Sequence, residues 1–181
     1  MNLFSKTIEY VDEAFGGKRP HFERTVFWLE KFLPEATEAH KIAAYSHDIE
    51  RAFRDKGKSI PENYLDQKFL INHQEKGAEI MTAFLNNQVA PKDLIETVAS
   101  LITGHETGGS KEQNALMDAD SVSFFETNAE MFVNQKAPIE GYKNVKEKLD
   151  WMFNRISSEE HKKFAEENYK KWSEDLEAYN K

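Results

Sequence analysis

Apolar residues recur at intervals of three and four along most of this chain, and alternation of apolar and polar residues never lasts long. The first spacing lines one face of an α-helix, whereas alternation is typical of a β-strand. Proline and glycine separate the helical segments. The pattern therefore predicts an all-α protein, a single globular bundle of about seven helices. The predicted helices cover about residues 4–15, 20–33, 35–53, 62–86 with a bend near 72, 91–105, 114–134 and two closing segments that separate near 157.

Length and composition are those of an ordinary globular chain. At 181 residues, with 39% hydrophobic and 31% charged residues, we expect one soluble domain over residues 1–181. The net charge of -8, with basic residues interleaved among acidic ones, argues against binding to a nucleic acid duplex. The start of the chain has no signal-peptide pattern, and no apolar stretch approaches a membrane span. We therefore expect a cytoplasmic protein with no membrane partner; the sequence does not indicate its oligomeric state.

Four of the six histidines lie on the apolar faces of four different predicted helices. His105, for example, follows Val98 and Leu101 by seven and four residues, which places its imidazole on the buried stripe. The other two, His40 and His161, lie among charged residues, and we expect them at the surface. The four inward-facing histidines are His21, His47, His73 and His105.

A group of inward-facing histidines is a candidate metal site. A single buried histidine is usually a core residue with one hydrogen bond, but four together are costly unless an electrophile binds their lone pairs. Because the chain contains no cysteine, a bound metal would use nitrogen and oxygen ligands. Such ligands suit one or two divalent ions of Mn, Fe, Ni, Co, Zn or Mg. The alternative is a helical bundle with buried histidines and no metal.

Four segments resemble the HD-domain superfamily of metal-dependent phosphohydrolases: PHFERTVFWLEKF, IAAYSHDIER, HQEKGAEIM and DADSVSFF. The resemblance covers about residues 20–125, the motif core, and extends more loosely to closing helices at about 140–180. It implies an all-helical bundle whose helix ends bring a His, a His-Asp pair and a distal Asp to one metal. The metal ligands that it implies are His21, His47, Asp48, His73, His105 and Asp120.

The resemblance also implies how these ligands are shared. His73 and His105 would complete a second metal, with Asp48 bridging the two ions, as in the binuclear members of the family. Asp120 matches the metal-binding Asp of a D-A-D-R-L signature, and Asp118 remains an alternative because helical periodicity places neither decisively. Ser121 stands where the signature has Arg.

The HD pair has one further departure from the family. Many nucleotidase-like members have an acid three residues after the HD Asp, where this chain has Arg51. Activation of water by a Glu at that position is therefore not expected. Glu50 lies about 100° around the helix from Arg51, and we expect it to be an exposed acid.

The function that the resemblance implies is hydrolysis of a phosphoester of a small metabolite or nucleotide by metal-activated water. The chain has no cysteine, no G-x-S-x-G segment and no G-x-x-x-x-G-K loop, so a covalent route lacks a candidate nucleophile. Three basic residues lie three positions after a proposed ligand and would border the site, where they would bind phosphate or pair with acids. With Asp48, the catalytic candidates are Arg24, Arg51 and Lys76.

Two other functions are compatible with the same residues. Some HD-fold proteins with this six-ligand set are di-iron oxygenases. A non-catalytic nucleotide-sensing module is a further alternative, although a complete ligand set argues against it. The segment 106–113 has two glycines and no apolar residue, and we expect a loop there. A mobile surface loop is the more frequent case, and a loop that closes over bound substrate is the alternative.

Overall fold

Helices form nearly all of the chain in the computed structural model, which describes residues 2–54 and 65–179. No β-strand occurs within these ranges, which confirms the all-α prediction. The helices are α1 (Leu3–Phe15), α2 (Pro20–Phe32), α3 (Glu38–Ser46), α4 (Glu50–Phe53), α5 (Gln67–Asn87), α6 (Lys92–Gly104), α7 (Lys111–Thr127), α8 (Ala129–Met131), α9 (Ala137–Glu140), α10 (Tyr142–Asn154) and α11 (Glu159–Tyr179), with a π-helical turn at Phe132–Lys136.

The helix predicted over 35–53 is divided at the His-Asp pair, and this division positions the pair. Helix α3 ends at Ser46, and the backbone passes through a tight turn in which the Ile49 amide donates to the Ser46 carbonyl at 2.9 Å. A second bond of this kind joins the Arg51 amide to the Asp48 carbonyl at 2.9 Å. The turn lets both His47 and Asp48 face the interior, where His47 is 0% exposed.

Other boundaries also differ from the predicted ones. Helix α7 begins at Lys111, three residues early, because Ser110 forms a capping box with Gln113. Helix α7 ends at Thr127, and α8 and the π-helical turn replace the rest of the helix predicted to 134. Helix α5 is continuous through Asn72, and the predicted helix start at 62 lies outside the described residues. These divisions account for more helices than the seven expected.

The central helices pack around one hydrophobic core. Helix α2 packs along α7, α5 packs along α6, and α3 lies against α1, α2 and α6. Leu29, Ile42, Val122 and Leu149 are each fully buried in this core, so the closing helix α10 shares it with the motif core. Among the described residues, no helix combines the length and the apolar character that crossing a bilayer requires.

Candidate metal centre

The six residues predicted to bind metal come from five places in the fold and lie in its interior. His21 lies in the first turn of α2, and His47 and Asp48 lie in the turn after α3. The others come from the middle of α5, the residue after α6 and the middle of α7. Each of the six is at most 9% exposed: His21, His47, Asp48, His73, His105 and Asp120.

Asp48 belongs to two groups of side chains that could each hold a metal ion. In the first group, one ligand atom each of His21, His47 and Asp48 lies within 4.8 Å of the others. The second group, Asp48 with His73 and His105, meets the same condition. The imidazoles form a continuous row, with ring centroids 5.3 Å apart for His21 and His47, 5.2 Å for His47 and His105, and 5.3 Å for His105 and His73.

The two aspartates face the Nε2 atoms of these imidazoles. Asp120 Oδ1 lies 3.0 Å from His21 Nε2 and 3.5 Å from His47 Nε2. Asp48 Oδ1 lies 3.0 Å from His73 Nε2, and its Oδ2 lies 3.9 Å from His47 Nε2. The carboxylates and the Nε2 atoms therefore converge, as ligands of a common ion would.

Backbone carbonyls orient two of the histidines for metal binding. His47 Nδ1 donates to the Ala44 carbonyl at 2.8 Å, and His105 Nδ1 donates to the Ile102 carbonyl at 2.7 Å. Both Nε2 atoms are buried and make no hydrogen bond within the described part of the chain. An unsatisfied buried nitrogen is costly, and a hydrogen-bonded Nδ1 with a free Nε2 is the usual state of a metal-ligating histidine.

Side chains orient the other two histidines in the same sense. His73 Nδ1 lies 2.8 Å from Glu50 Oε2, and His21 Nδ1 lies 3.0 Å from Ser123 Oγ. The prediction that Glu50 is an exposed acid is wrong: it is 7% exposed, because its carboxylate accepts from both His73 and Arg54. Such carboxylate partners fix the ring and raise the basicity of a ligating imidazole.

Gly77 allows α5 to approach the turn that carries His47. A Cβ added at Gly77 would lie 3.3 Å from Ile102 Cγ2 and 3.5 Å from the His47 carbonyl oxygen. The absence of a side chain therefore lets His73, one turn earlier, reach the row of imidazoles.

The structure separates the roles of the two aspartates of α7. Asp120 faces His21 and His47, whereas Asp118 Oδ1 accepts from the Ser157 amide at 2.7 Å and its Oδ2 lies 2.7 Å from His161 Nδ1. Asp118 thus holds the start of α11 and lies outside both ligand groups. Of the two candidates, Asp120 is the one at the cluster.

Two residues that the sequence did not single out complete the charge balance of the centre. The Arg155 side chain is 6% exposed, and it donates to Asp120, to Glu106 and, at 2.8 Å, to Ser121 Oγ. Glu106 Oε1 lies 3.7 Å from His105 Nε2. The sequence held one sign of these residues, which is Ser121. Because this position has Ser where the signature has Arg, a cation that pairs with Asp120 was to be expected from another part of the chain.

The charge states of both aspartates and of His105 suit a cation. Burial would raise the pKa of Asp48, but Arg51 and His47 hold it well below the usual value. Burial acts on Asp120 in the same way, and Arg155 and His47 outweigh it. Burial lowers the pKa of His105 to about 4, so this imidazole is neutral at pH 7. Ionised carboxylates and a neutral imidazole are the forms that bind metal.

The three predicted phosphate-binding cations occupy different surroundings. Arg51 Nε donates to Asp48 Oδ1 at 2.7 Å, and its side chain is 43% exposed. Arg24 makes two bonds to Glu126, of 2.7 and 3.1 Å, rather than to a predicted ligand. Lys76 is exposed on α5 and forms no ion pair within residues 2–54 and 65–179. A role in phosphate binding stays a prediction for all three residues.

The surface placement predicted for His40 is wrong, and that predicted for His161 holds only in part, because its side chain is 21% exposed. His40 is 6% exposed, and its Nδ1 lies 2.8 Å from Thr37 Oγ1. His161 stacks on Phe32 with ring centroids 3.7 Å apart and is bonded to Asp118. Both histidines lie outside the two ligand groups. The predicted loop is also shorter, because residues from Lys111 onward belong to α7.

Fold and site together define an all-helical protein with a buried cluster of His and Asp side chains that could hold a metal ion. This cluster is compatible with the HD-like arrangement that the sequence resembles. The chain belongs to the family described as Domain of unknown function (DUF4202), whose model matches residues 11–177. No curated protein and no solved structure matches the chain significantly.

Proposed function

We propose that this protein is a metal-dependent phosphohydrolase of the HD-domain superfamily, which hydrolyses a phosphoester of a small metabolite or nucleotide. The observation that carries the proposal is the pair of ligand groups that share Asp48, with the buried Nε2 atoms of His47 and His105 left without a hydrogen bond among the described residues. Nitrogen and oxygen ligands suit one or two divalent ions of Mn, Fe, Ni, Co, Zn or Mg.

The two ligand groups support a division of the residues between two ions. His21, His47 and Asp48 would hold the first ion together with Asp120, whose Oδ1 lies 3.0 Å from His21 Nε2; His73, His105 and the shared Asp48 would hold the second. When bound, such ions polarise the phosphoryl group and activate water as the nucleophile.

The protein's own residues would orient the ligands and the substrate and would balance their charges. Asp48 joins the two groups, and the bond from Arg51 Nε fixes one of its oxygens. Because the Arg51 side chain is 43% exposed, the rest of its guanidinium can contact a phosphate at the edge of the centre. Arg155 keeps Asp120 ionised. Without cysteine, and with water as nucleophile, no covalent intermediate is required.

Metal analysis tests the first step of the proposal. Full-length protein purified without chelator should contain divalent metal in stoichiometric amount, and Asp48→Ala, which removes the shared ligand, should lose it. His40→Gln is a matched control. His40 is also a buried histidine whose Nε2 makes no hydrogen bond within the described residues, but it lies outside both ligand groups. A wild-type protein that neither contains nor takes up metal would contradict the proposal.

Phosphate release tests the second step. We expect the metal-loaded protein to release orthophosphate from some member of a panel of phosphoesters in the presence of Mn, Ni, Co or Mg, and Asp48→Ala to release none. Nucleotide binding without product from any substrate would instead favour a sensing module.

A di-iron oxygenase is the second candidate, and the same shared Asp48 favours it. A carboxylate between two groups that are rich in imidazole also suits a pair of iron ions. Oxygen uptake by the iron-loaded protein would support this candidate, whereas orthophosphate release under anaerobic conditions would exclude it as the main activity.

A further inference from the structure

Lys148 is a buried cation in α10, outside the motif core. The residue is 8% exposed, and its Nζ lies 4.4 Å from the centroid of the Trp151 ring and 5.9 Å from that of Phe124. Within residues 2–54 and 65–179 it makes no hydrogen bond and no ion pair. Aromatic contact offsets part of the desolvation of an ammonium group, but a buried charge usually has an anionic partner.

The charged groups that act on Lys148 all belong to the candidate metal centre. Glu106 and Asp120 favour its protonated form, whereas Arg155 and Arg51 oppose it. Burial is the largest influence, and it lowers the pKa of Lys148 to about 8. The ring contacts place Lys148 beside the centre: the Trp151 ring also contacts Arg155, whose guanidinium carbon lies 4.3 Å from the ring centroid, and Phe124 lies one turn after Asp120 on α7. With a pKa of about 8, most of Lys148 is charged at pH 7.

The two carboxylates that favour protonated Lys148 already accept a hydrogen bond from another cation. Glu106 and Asp120 both accept hydrogen bonds from Arg155, whose side chain is 6% exposed. Arg155 is one positive charge against these two carboxylates and Lys148 is a second, but Lys148 Nζ makes no hydrogen bond to either carboxylate within the described part of the chain. The N–H donors of Lys148 are therefore available to an anionic group from outside the chain.

We propose that Lys148 binds an oxygen of the substrate's phosphoryl group and makes the site selective for dianionic phosphomonoesters over monoanionic diesters. This inference rests on the proposed phosphohydrolase function and concerns the same site. A diester carries one negative charge, whereas the terminal phosphate of a monoester carries close to two at neutral pH. The free N–H donors of Lys148 would bind an oxygen that carries this second charge. Lys148 is here a specificity-determining residue that contacts substrate.

Two simple anions test the proposal by calorimetry on full-length, metal-loaded protein. Inorganic phosphate represents the monoester group, and dimethyl phosphate represents the diester. Wild type should bind phosphate more tightly. Lys148→Met, which keeps the length of the side chain and removes its charge, should weaken phosphate binding by about tenfold or more and dimethyl phosphate binding by less. Metal content, measured in parallel, should not change.

Lys143→Met is the matched control, because Lys143 lies on the same helix with its side chain 88% exposed. It should bind both anions as wild type does. If Lys148→Met does not fold, Lys148→Arg and Lys148→Gln address the same point, since Arg should retain phosphate binding and Gln should lose it.

The outcomes separate this inference from the proposed function. A folded, metal-loaded Lys148→Met that binds phosphate as wild type does overturns the inference, even if wild type hydrolyses phosphoesters. A loss of phosphate binding in Lys148→Met supports the anion site, even if no phosphoester is hydrolysed and the proposed function fails.

Discussion

Replacement of Arg155 by Met should destabilise the metal-free protein strongly. The substitution preserves much of the apolar volume but removes a buried guanidinium that donates to Asp120, Glu106 and Ser121. The Glu106 side chain is 2% exposed and that of Asp120 is 9% exposed, so neither carboxylate can recover its hydration. Removing one partner of a buried pair costs about 3–5 kcal/mol, which in a chain of this size lowers Tm by about 6–20 °C.

Urea and thermal unfolding, followed by circular dichroism, measure this loss. Arg24→Met is the control: Arg24 also makes two bonds to a glutamate, but its side chain is 36% exposed, and such surface pairs contribute about 0–1 kcal/mol. Bound metal should reduce the penalty at Arg155, because the ion supplies part of the lost positive charge. A loss below about 1 kcal/mol for Arg155→Met in metal-free protein would refute the assignment of a buried charge network.

Three further outcomes are expected. Asp118→Asn should lower the free energy of unfolding by about 1–3 kcal/mol, measured in urea, and leave metal content unchanged, since its carboxylate bonds to Ser157 and not to the cluster. Removal of metal with a chelator should lower Tm reversibly, because metal at 100 times its Kd stabilises the folded state by about 2.7 kcal/mol; an unchanged Tm would contradict a bound ion. Metal affinity should rise with pH. Burial disfavours the protonated form of His47, but Asp120 and Asp48 outweigh burial and raise the pKa of His47 to about 9. Metal binding below that pH therefore displaces a proton from His47. Calorimetry in buffers of different ionisation enthalpy would detect this proton, and affinity that does not change between pH 6.5 and 9 would contradict the assignment.

Periodicity predicted the burial of His21, His47, His73 and His105, but it missed that of His40 and could not separate Asp118 from Asp120. An amphipathic helix has one buried face, so the positions of Val98 and Leu101 on α6 sufficed to predict that His105, the residue after the helix, faces inward. Helix α7 is different, since every residue of 115–125 is buried. When all faces of a helix are buried, the pattern no longer distinguishes directions, and only the neighbours of each aspartate do.

The buried charges were missed for a related reason. Charged residues in polar stretches are usually exposed, so Glu50, Glu106, Lys148 and Arg155 gave no sign of burial in the sequence. Each is buried with partners or aromatic contacts that lie far away along the chain, such as Arg155 with Glu106. Such burial depends on tertiary packing, which local patterns do not contain.

The closing helices change how the site should be understood. The motif core supplies the candidate ligands and Arg51, the partner of Asp48, but the cations beside Asp120 come from α10 and the residue after it: Lys148 and Arg155. Ser121 accepts from Arg155 where the HD signature has a basic residue, so the guanidinium reaches Asp120 from another part of the chain. Because ligands and charge balance come from separate segments, substitutions in α10 should alter anion preference without changing metal content. The residues that choose the substrate would then lie outside the motif by which the site is recognised.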